Sequence, residues 1–301
     1  MIVLQGKRGG ERVWFSPDAS AIVVPNRHGI HIWRNWNQAG KPALLCSVAH
    51  ARHIQFSADG KTIFVANHTF YAVDVDTGAA REIPLWGGFG ARFGQSSRGD
   101  YLIVGQSNRG ANRRGGPMMS ALRGDGTGLF LWSRPVAYWW TDPVFLPGDE
   151  SFVRVERALD SPEVRLVSSL AATGDEVRRS EPLIGDVRSW AISPDGLLAA
   201  CRLTVAIHLY PIQEHFTKPS ASLRNTGRME FTAVAFHPSG RYLAATSNDA
   251  TVKFYETTNW KLVRTFTWDV GRMRSITFSP DGTLAAAGSD SGKVVVWDVD
   301  L

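Results

Sequence analysis

A tight turn recurs along this chain and governs what it can fold into. Phe236-His237-Pro238-Ser239-Gly240 closes the apolar run Thr232–Ala235, and Phe278-Ser279-Pro280-Asp281-Gly282 closes Ser275–Thr277. Related turns stand at Phe15-Ser16-Pro17-Asp18, Phe56-Ser57-Ala58-Asp59-Gly60, Phe145-Leu146-Pro147-Gly148 and Ile192-Ser193-Pro194-Asp195-Gly196, with a weaker copy at Ser96-Ser97-Arg98-Gly99. Proline pre-sets one backbone angle of such a turn and glycine supplies another, so each copy predicts two short strands joined tightly. The positions equivalent to proline are 17, 58, 97, 147, 194, 238 and 280, spaced by 39 to 50 residues. A four-stranded propeller blade needs roughly 40–45 residues. Seven anchors therefore predict seven blades, and the widest gap predicts an insertion in the third.

Within the last repeat, strand a is expected near Arg274–Phe278, strand b at Thr283–Gly288 and strand c at Lys293–Asp298. The third strand ends Val294-Val295-Val296-Trp297-Asp298. Variants of that ending occur at Ile30-His31-Ile32-Trp33, Leu129-Phe130-Leu131-Trp132, Ile207-His208-Leu209-Tyr210 and Val252-Lys253-Phe254-Tyr255-Glu256, with weaker forms at Tyr71–Asp74 and Val164–Val167. In these endings the chain resembles the WD-repeat family, most sharply in its last two repeats. The resemblance implies an all-β, single seven-bladed β-propeller spanning 1–301, with four-stranded antiparallel blades. It also implies that the N-terminal strand, Met1–Gly6, pairs in the last blade and closes a whole propeller, because the final repeat stops after strand c.

The family's Gly-His dipeptide is absent. Gly227-Arg228 stands in its place in blade six and Trp268-Asp269 in blade seven. In the family that histidine usually bonds an aspartate of the b–c turn and the strand c tryptophan. Asp249 holds the aspartate position, so blade six is expected to lack the buried network and to tolerate loss of Asp249.

Composition narrows the function. Apolar residues make up 44% and charged residues 20%, which permits a large core. Arginine (26) outnumbers lysine (7), and the formal net charge is +5, which suits anionic partners. The two cysteines, Cys46 and Cys201, lie in apolar segments and read as buried free thiols of a reducing compartment. No stretch approaches transmembrane length, so the expected location is cytoplasmic, away from membranes. The sequence has no Gly-x-Ser-x-Gly elbow, phosphate loop or His-Glu-x-x-His, and Cys46, His50 and His53 fit no standard zinc spacing. No catalytic residue, metal or cofactor is therefore expected.

The segment Gln106–Gly128, read as the insertion between strands b and c of blade three, holds Arg109, Arg113, Arg114 and Arg123 among many glycines. If the b–c and d–a loops share one face, as in the family, that face also receives Lys7, Arg8, Arg27, His28, Arg228 and Arg272. Arg52, Arg188 and Arg274 enter strand a close by, and Trp140 and Trp268 stand as apolar anchors. The opposite face receives the turn residues Asp18, Asp59, Asp149, Asp195 and Asp281. The expected function is a non-catalytic scaffold binding another protein or an acidic peptide through this basic face. The alternatives are a hydrolase or lactonase-like propeller with a site at the channel mouth, and a nucleic-acid binder. The latter is disfavoured because aromatic residues do not interleave with the arginines.

Overall fold

The computed structural model describes residues 1–6, 12–38, 40–51, 53–85, 92–106, 117–136, 141–157, 161, 163–212, 218–227 and 229–300. Among these, strands form seven four-stranded antiparallel sheets. The chain divides into two compact units, one comprising Met1–His50, Arg188–Pro211 and Pro219–Leu301, the other Ala51–Val187 and Ile212–Lys218. Each sheet is one blade, and within a blade the strands run a to d.

The first unit holds four blades. Blade one comprises β2 (Trp14–Phe15), β3 (Ala21–Asn26), β4 (Gly29–Arg34) and β5 (Ala43–Cys46). Blade five comprises β18 (Ser189–Ile192), β19 (Leu198–Arg202), β20 (Ala206–Pro211) and β21 (Ala221–Arg224). Blade six comprises β22 (Phe231–Phe236), β23 (Tyr242–Ser247), β24 (Thr251–Glu256) and β25 (Leu262–Thr267). Blade seven takes β26 (Met273–Phe278), β27 (Leu284–Ser289) and β28 (Lys293–Asp298), and its outer strand is β1 (Ile2–Gln5) from the N-terminus. The register Ile2↔Val296 to Gln5↔Lys293 pairs β1 with β28, so the edge of the last blade is covered as the sequence implied. Gly6 then donates its N–H to the Gly292 carbonyl at 3.1 Å, an approach where a Cβ would collide with that oxygen.

The second unit holds three blades. Blade two comprises β6 (His53–Phe56), β7 (Thr62–Ala66), β8 (Phe70–Asp74) and β9 (Ala80–Ile83). Blade three comprises β10 (Arg92–Gln95), β11 (Tyr101–Gln106), β12 (Met118–Arg123) and β13 (Phe130–Pro135), and blade four β14 (Val144–Phe145), β15 (Ser151–Arg157), β16 (Val164–Leu170) and β17 (Glu176–Arg179).

Blade three corrects the sequence reading. Leu129–Trp132 imitates a strand c ending, but Phe130–Trp132 belongs to β13, the outer strand. The third strand is β12, so the segment between strands b and c ends before Met118 and does not extend to Gly128. Arg123 closes β12 opposite Tyr101, the first residue of β11. It therefore sits at the a–b turn end of the blade, away from the b–c loop.

The recurring turn has a mechanism beyond proline and glycine. Ser16, Ser57, Ser193 and Ser279 each donate their hydroxyl to the aspartate two residues on, at 2.5–2.7 Å. Each hydroxyl also accepts the backbone N–H five residues on, from Ala21, Thr62, Leu198 and Leu284. One serine thus ties both sides of the turn, and the aspartate in turn caps the backbone beyond it. Hydrogen bonds from Ser16 to Asp18, Ser57 to Asp59 and Ser279 to Asp281 hold these carboxyls below the usual carboxylate range. Asp149 differs: it is buried, and it caps the turn of blade three through Ser97 N, Ser97 Oγ and Arg98 N.

Packing between blades is apolar and rich in rings. Phe64, Phe70 and Phe93 are fully buried together, with the Phe70 and Phe93 rings edge to face at 5.0 Å. Burying each such side chain contributes roughly 1.5–3 kcal/mol. Small residues Ala285, Ala286 and Ala287 line β27, letting blades six, seven and one pack closely within the first unit.

Candidate functional site

In the first unit, Arg27 and His28 stand in the β3–β4 turn, Arg188 just before β18 and Arg272 just before β26, all at b–c or d–a ends. In blade five, Arg188 donates its backbone N–H to the Arg202 carbonyl at 2.9 Å, so the entry to β18 and the end of β19 are joined. The Arg202 guanidinium is partly buried there. Its Nε donates to Ser189 Oγ at 2.6 Å, and Nη1 to the carbonyls of Phe231 at 2.8 Å and Leu203 at 3.3 Å. Among the described residues, Nη2 makes no such bond. Burial, then the neighbouring charges of Arg188 and Arg12, against the opposing pull of Glu230, lower the Arg202 pKa to about 10.

The other named residues of the first unit have mixed settings. Arg27 and His28 are exposed in the β3–β4 turn, with Arg27 Nε donating to His28 Nε2 at 3.0 Å. Arg272 is exposed and gives its backbone N–H to Asp290 Oδ1. Arg274 pairs with Asp290 Oδ2 at 3.6 Å, which offsets its charge locally. Trp268 is half-buried, its ring stacked on Phe266 at 5.7 Å and set 4.7 Å from Trp297, so much of it serves packing. In the second unit, Arg123 lies 3.9 Å from Asp125 in its own turn. Arg52, Arg109, Arg113, Arg114, Arg228 and Trp140 lie outside the described residues. The sequence reading missed Arg202 and Arg12. A strand-end arginine followed by Leu203-Thr204-Val205 carries no motif, and only the folded hairpin sets it beside Arg188.

Two buried polar clusters are structural. In blade four, Arg154 and Glu156 are each 3% exposed and paired at 2.7 Å; Arg154 also donates to Ser169 Oγ, and Arg179 to the second oxygen of Glu156. In blade six, Lys253 is buried and donates to Asn225 Oδ1 and, at 3.1 Å, to Asp249 Oδ2, while Asn225 Nδ2 donates to Ser247 Oγ at 2.8 Å. This overturns the expectation that blade six lacks a network. Asn225 and Lys253 take the place of the missing histidine. Burial alone would raise the Asp249 pKa, but hydrogen bonds from Thr251, Lys253 and Ser247 outweigh it and hold the carboxyl below its usual range. Cys201 is sealed in β19, and burial pushes its thiol up to about 12. Among the described residues no helix is long and apolar enough to cross a membrane.

Comparison with known proteins agrees with the blades. The model of the WD domain, G-beta repeat, matches residues 218–256 and 260–298, which hold blade six and most of blade seven. One similar protein is a "Probable cytosolic iron-sulfur protein assembly protein 1" of Yarrowia lipolytica (strain CLIB 122 / E 150), 40% identical over 22% of this chain and 20% of its own length. Another is a "Pre-mRNA-processing factor 19 homolog 2" of Arabidopsis thaliana, 26% identical over 46% of this chain and 33% of its own length. The matches thus span about a fifth and a third of these relatives. With two matched repeats and seven four-stranded blades, the chain is a WD-repeat β-propeller.

Proposed function

We propose that this chain is a non-catalytic scaffold that binds another protein through the b–c and d–a ends of its blades. The observation that carries the reading is the set of exposed basic side chains there in the first unit: Arg27, His28, Arg188 and Arg272. The names of the two relatives, an assembly protein and a processing factor, support a role in joining other proteins. The cytosolic location in the first name supports a cytoplasmic setting. Arg109, Arg113, Arg114, Arg52 and Arg228 extend the proposed binding residues, and Arg274, Trp268 and Trp140 complete them. Exposed charges of this kind steer acidic partners and raise the association rate in a salt-dependent way.

The test is affinity capture from the native cell by the intact chain and by an Arg188→Glu/Arg272→Glu variant, across a salt series. Capture that weakens with salt and is lost in the variant is the expected result. Equal capture by both chains overturns the assignment to this end of the blades.

A further inference from the structure

We propose that the b–c end of blade five is a recognition site for a carboxylate side chain on an acidic segment of the partner, formed by Arg202 and Arg188 and bordered by Val205 and Met229. This rests on the protein-binding reading above and names the chemistry of one contact. Three hydrogen bonds from Nε and Nη1 lock the Arg202 guanidinium in one orientation, so its ordering entropy is already spent before a ligand arrives. Among the described residues, Nη2 has no hydrogen-bond partner and Arg202 has no carboxylate within ion-pair distance. Arg188, exposed and one residue before β18, gives its backbone N–H to the Arg202 carbonyl, and its charge is among those felt by the Arg202 guanidinium.

Arg202 holds its proton less tightly than a free arginine, first because it is partly desolvated and then because Arg188 and Arg12 stand near. An incoming anion relieves both costs, so the site gains from binding one. Glu230 contributes a negative charge in the same neighbourhood. That charge repels a phosphate dianion more than a carboxylate monoanion, which favours an aspartate or glutamate side chain.

Val205 and Met229 are 42% and 43% exposed, unusual for their types. Their loops are tied together, since Asn225 N–H bonds the Val205 carbonyl and Phe231 N–H the Thr204 carbonyl, and Phe231 supplies the carbonyl that Arg202 grips. Arginine beside exposed apolar side chains is the composition of an interface anchor. The fitting segment therefore carries an acidic residue flanked by an aliphatic one.

The probes are two acetylated, amidated pentapeptides, Gly-Leu-Glu-Leu-Gly and Gly-Leu-Gln-Leu-Gly, titrated into the full chain labelled with 15N-arginine. The Nε–Hε resonances of Arg202 and Arg188 should shift saturably with the glutamate peptide and stay in place with the glutamine peptide. Arg188→Gln should weaken the glutamate peptide about tenfold, on the scale of a lost interface anchor. Arg202→Lys, which keeps the charge and loses the fork, should weaken it likewise. If Arg202→Lys does not fold, Arg188→Gln still decides, because that side chain is exposed. Equal shifts from both peptides, no saturable shift, or unchanged binding by Arg188→Gln overturns the proposal. Tighter binding of the corresponding phosphoserine peptide overturns the choice of carboxylate. Partner capture by a chain whose Arg188 and Arg202 ignore the peptides overturns this site alone and leaves the protein-binding reading standing.

Discussion

Blades six and seven carry the two matched repeats, yet they fill the same interior positions with opposite chemistry. In blade six, the residue after β21 is Asn225, and it reaches Lys253 in β24. In blade seven, the residue after β25 is Trp268, and its ring lies 4.7 Å from Trp297 in β28. Lys253 pairs with Ala245, and its counterpart Val295 pairs with Ala287. Asp249 bonds the N–H of Thr251; its counterpart Ser291 bonds the N–H of Lys293. One blade is thus held by a closed polar set, the other by stacked rings. The comparison teaches that the repeat specifies backbone geometry and leaves its interior open to either polar or apolar side chains. In blade seven, Trp297 Nε1 is buried and has no hydrogen-bond partner among the described residues.

The largest effect is expected from breaking the polar set. Lys253→Ala removes the cation between Asn225 and Asp249 and leaves both without their shared donor. Breaking a buried pair in this way costs about 3–5 kcal/mol, and the partial exposure of Asp249 places this one near 3 kcal/mol. Chemical denaturation of the variant measures it. A loss under about 1 kcal/mol would mean that the set carries little of blade six.

Asp249→Ala comes next. It removes an acceptor of charge-assisted bonds, for which about 2 kcal/mol is the expected cost. Because the carboxyl titrates below its ordinary value, its contribution is present above the unfolded pKa, near 3.8, and is lost as pH falls through the lower folded value. The difference between parent and variant should therefore shrink when denaturation is repeated in that acidic window. A difference that persists there would assign the effect to packing. The two single variants and their double variant form a cycle, and a coupling of about 0.5–3 kcal/mol is expected for groups in one network.

These interiors also show what the sequence could and could not reveal. The turns were legible because Ser-Pro-Asp-Gly acts locally: Ser279 meets Asp281 and Leu284 within five residues. The pairing of β1 with β28 was legible because the last repeat visibly lacks a strand. Blade three was misread because Met118–Arg123 has few β-branched residues and no terminal aromatic, while Leu129–Trp132 copies the expected ending. Lys253 reads as a solvated strand residue, and nothing near it announces Asn225, which is 28 residues away. Arg202 was missed for the same reason, since its carbonyl partner on Phe231 is 29 residues distant. Local chemistry can be read from a chain; partners brought together by blade packing cannot.

The smallest effect sharpens the comparison from the apolar side. Trp297→Phe deletes part of a ring that is 4% exposed and packed against Phe266 and Trp268. Among the described residues the indole N–H has no bond to lose, so removing it should relieve a buried unsatisfied donor, worth about 1–3 kcal/mol. The missing ring volume costs about 24 cal/mol for each Å³ left as cavity, which amounts to roughly 1 kcal/mol for the difference between indole and phenyl if the site does not collapse. The two terms oppose each other, and the variant should fall within about 1 kcal/mol of the parent by chemical denaturation. A loss above about 2 kcal/mol would show that the Trp297 N–H has a partner after all, a bound water being the simplest. Blade seven would then be, like blade six, a closed polar set, and the contrast between the two interiors would fail.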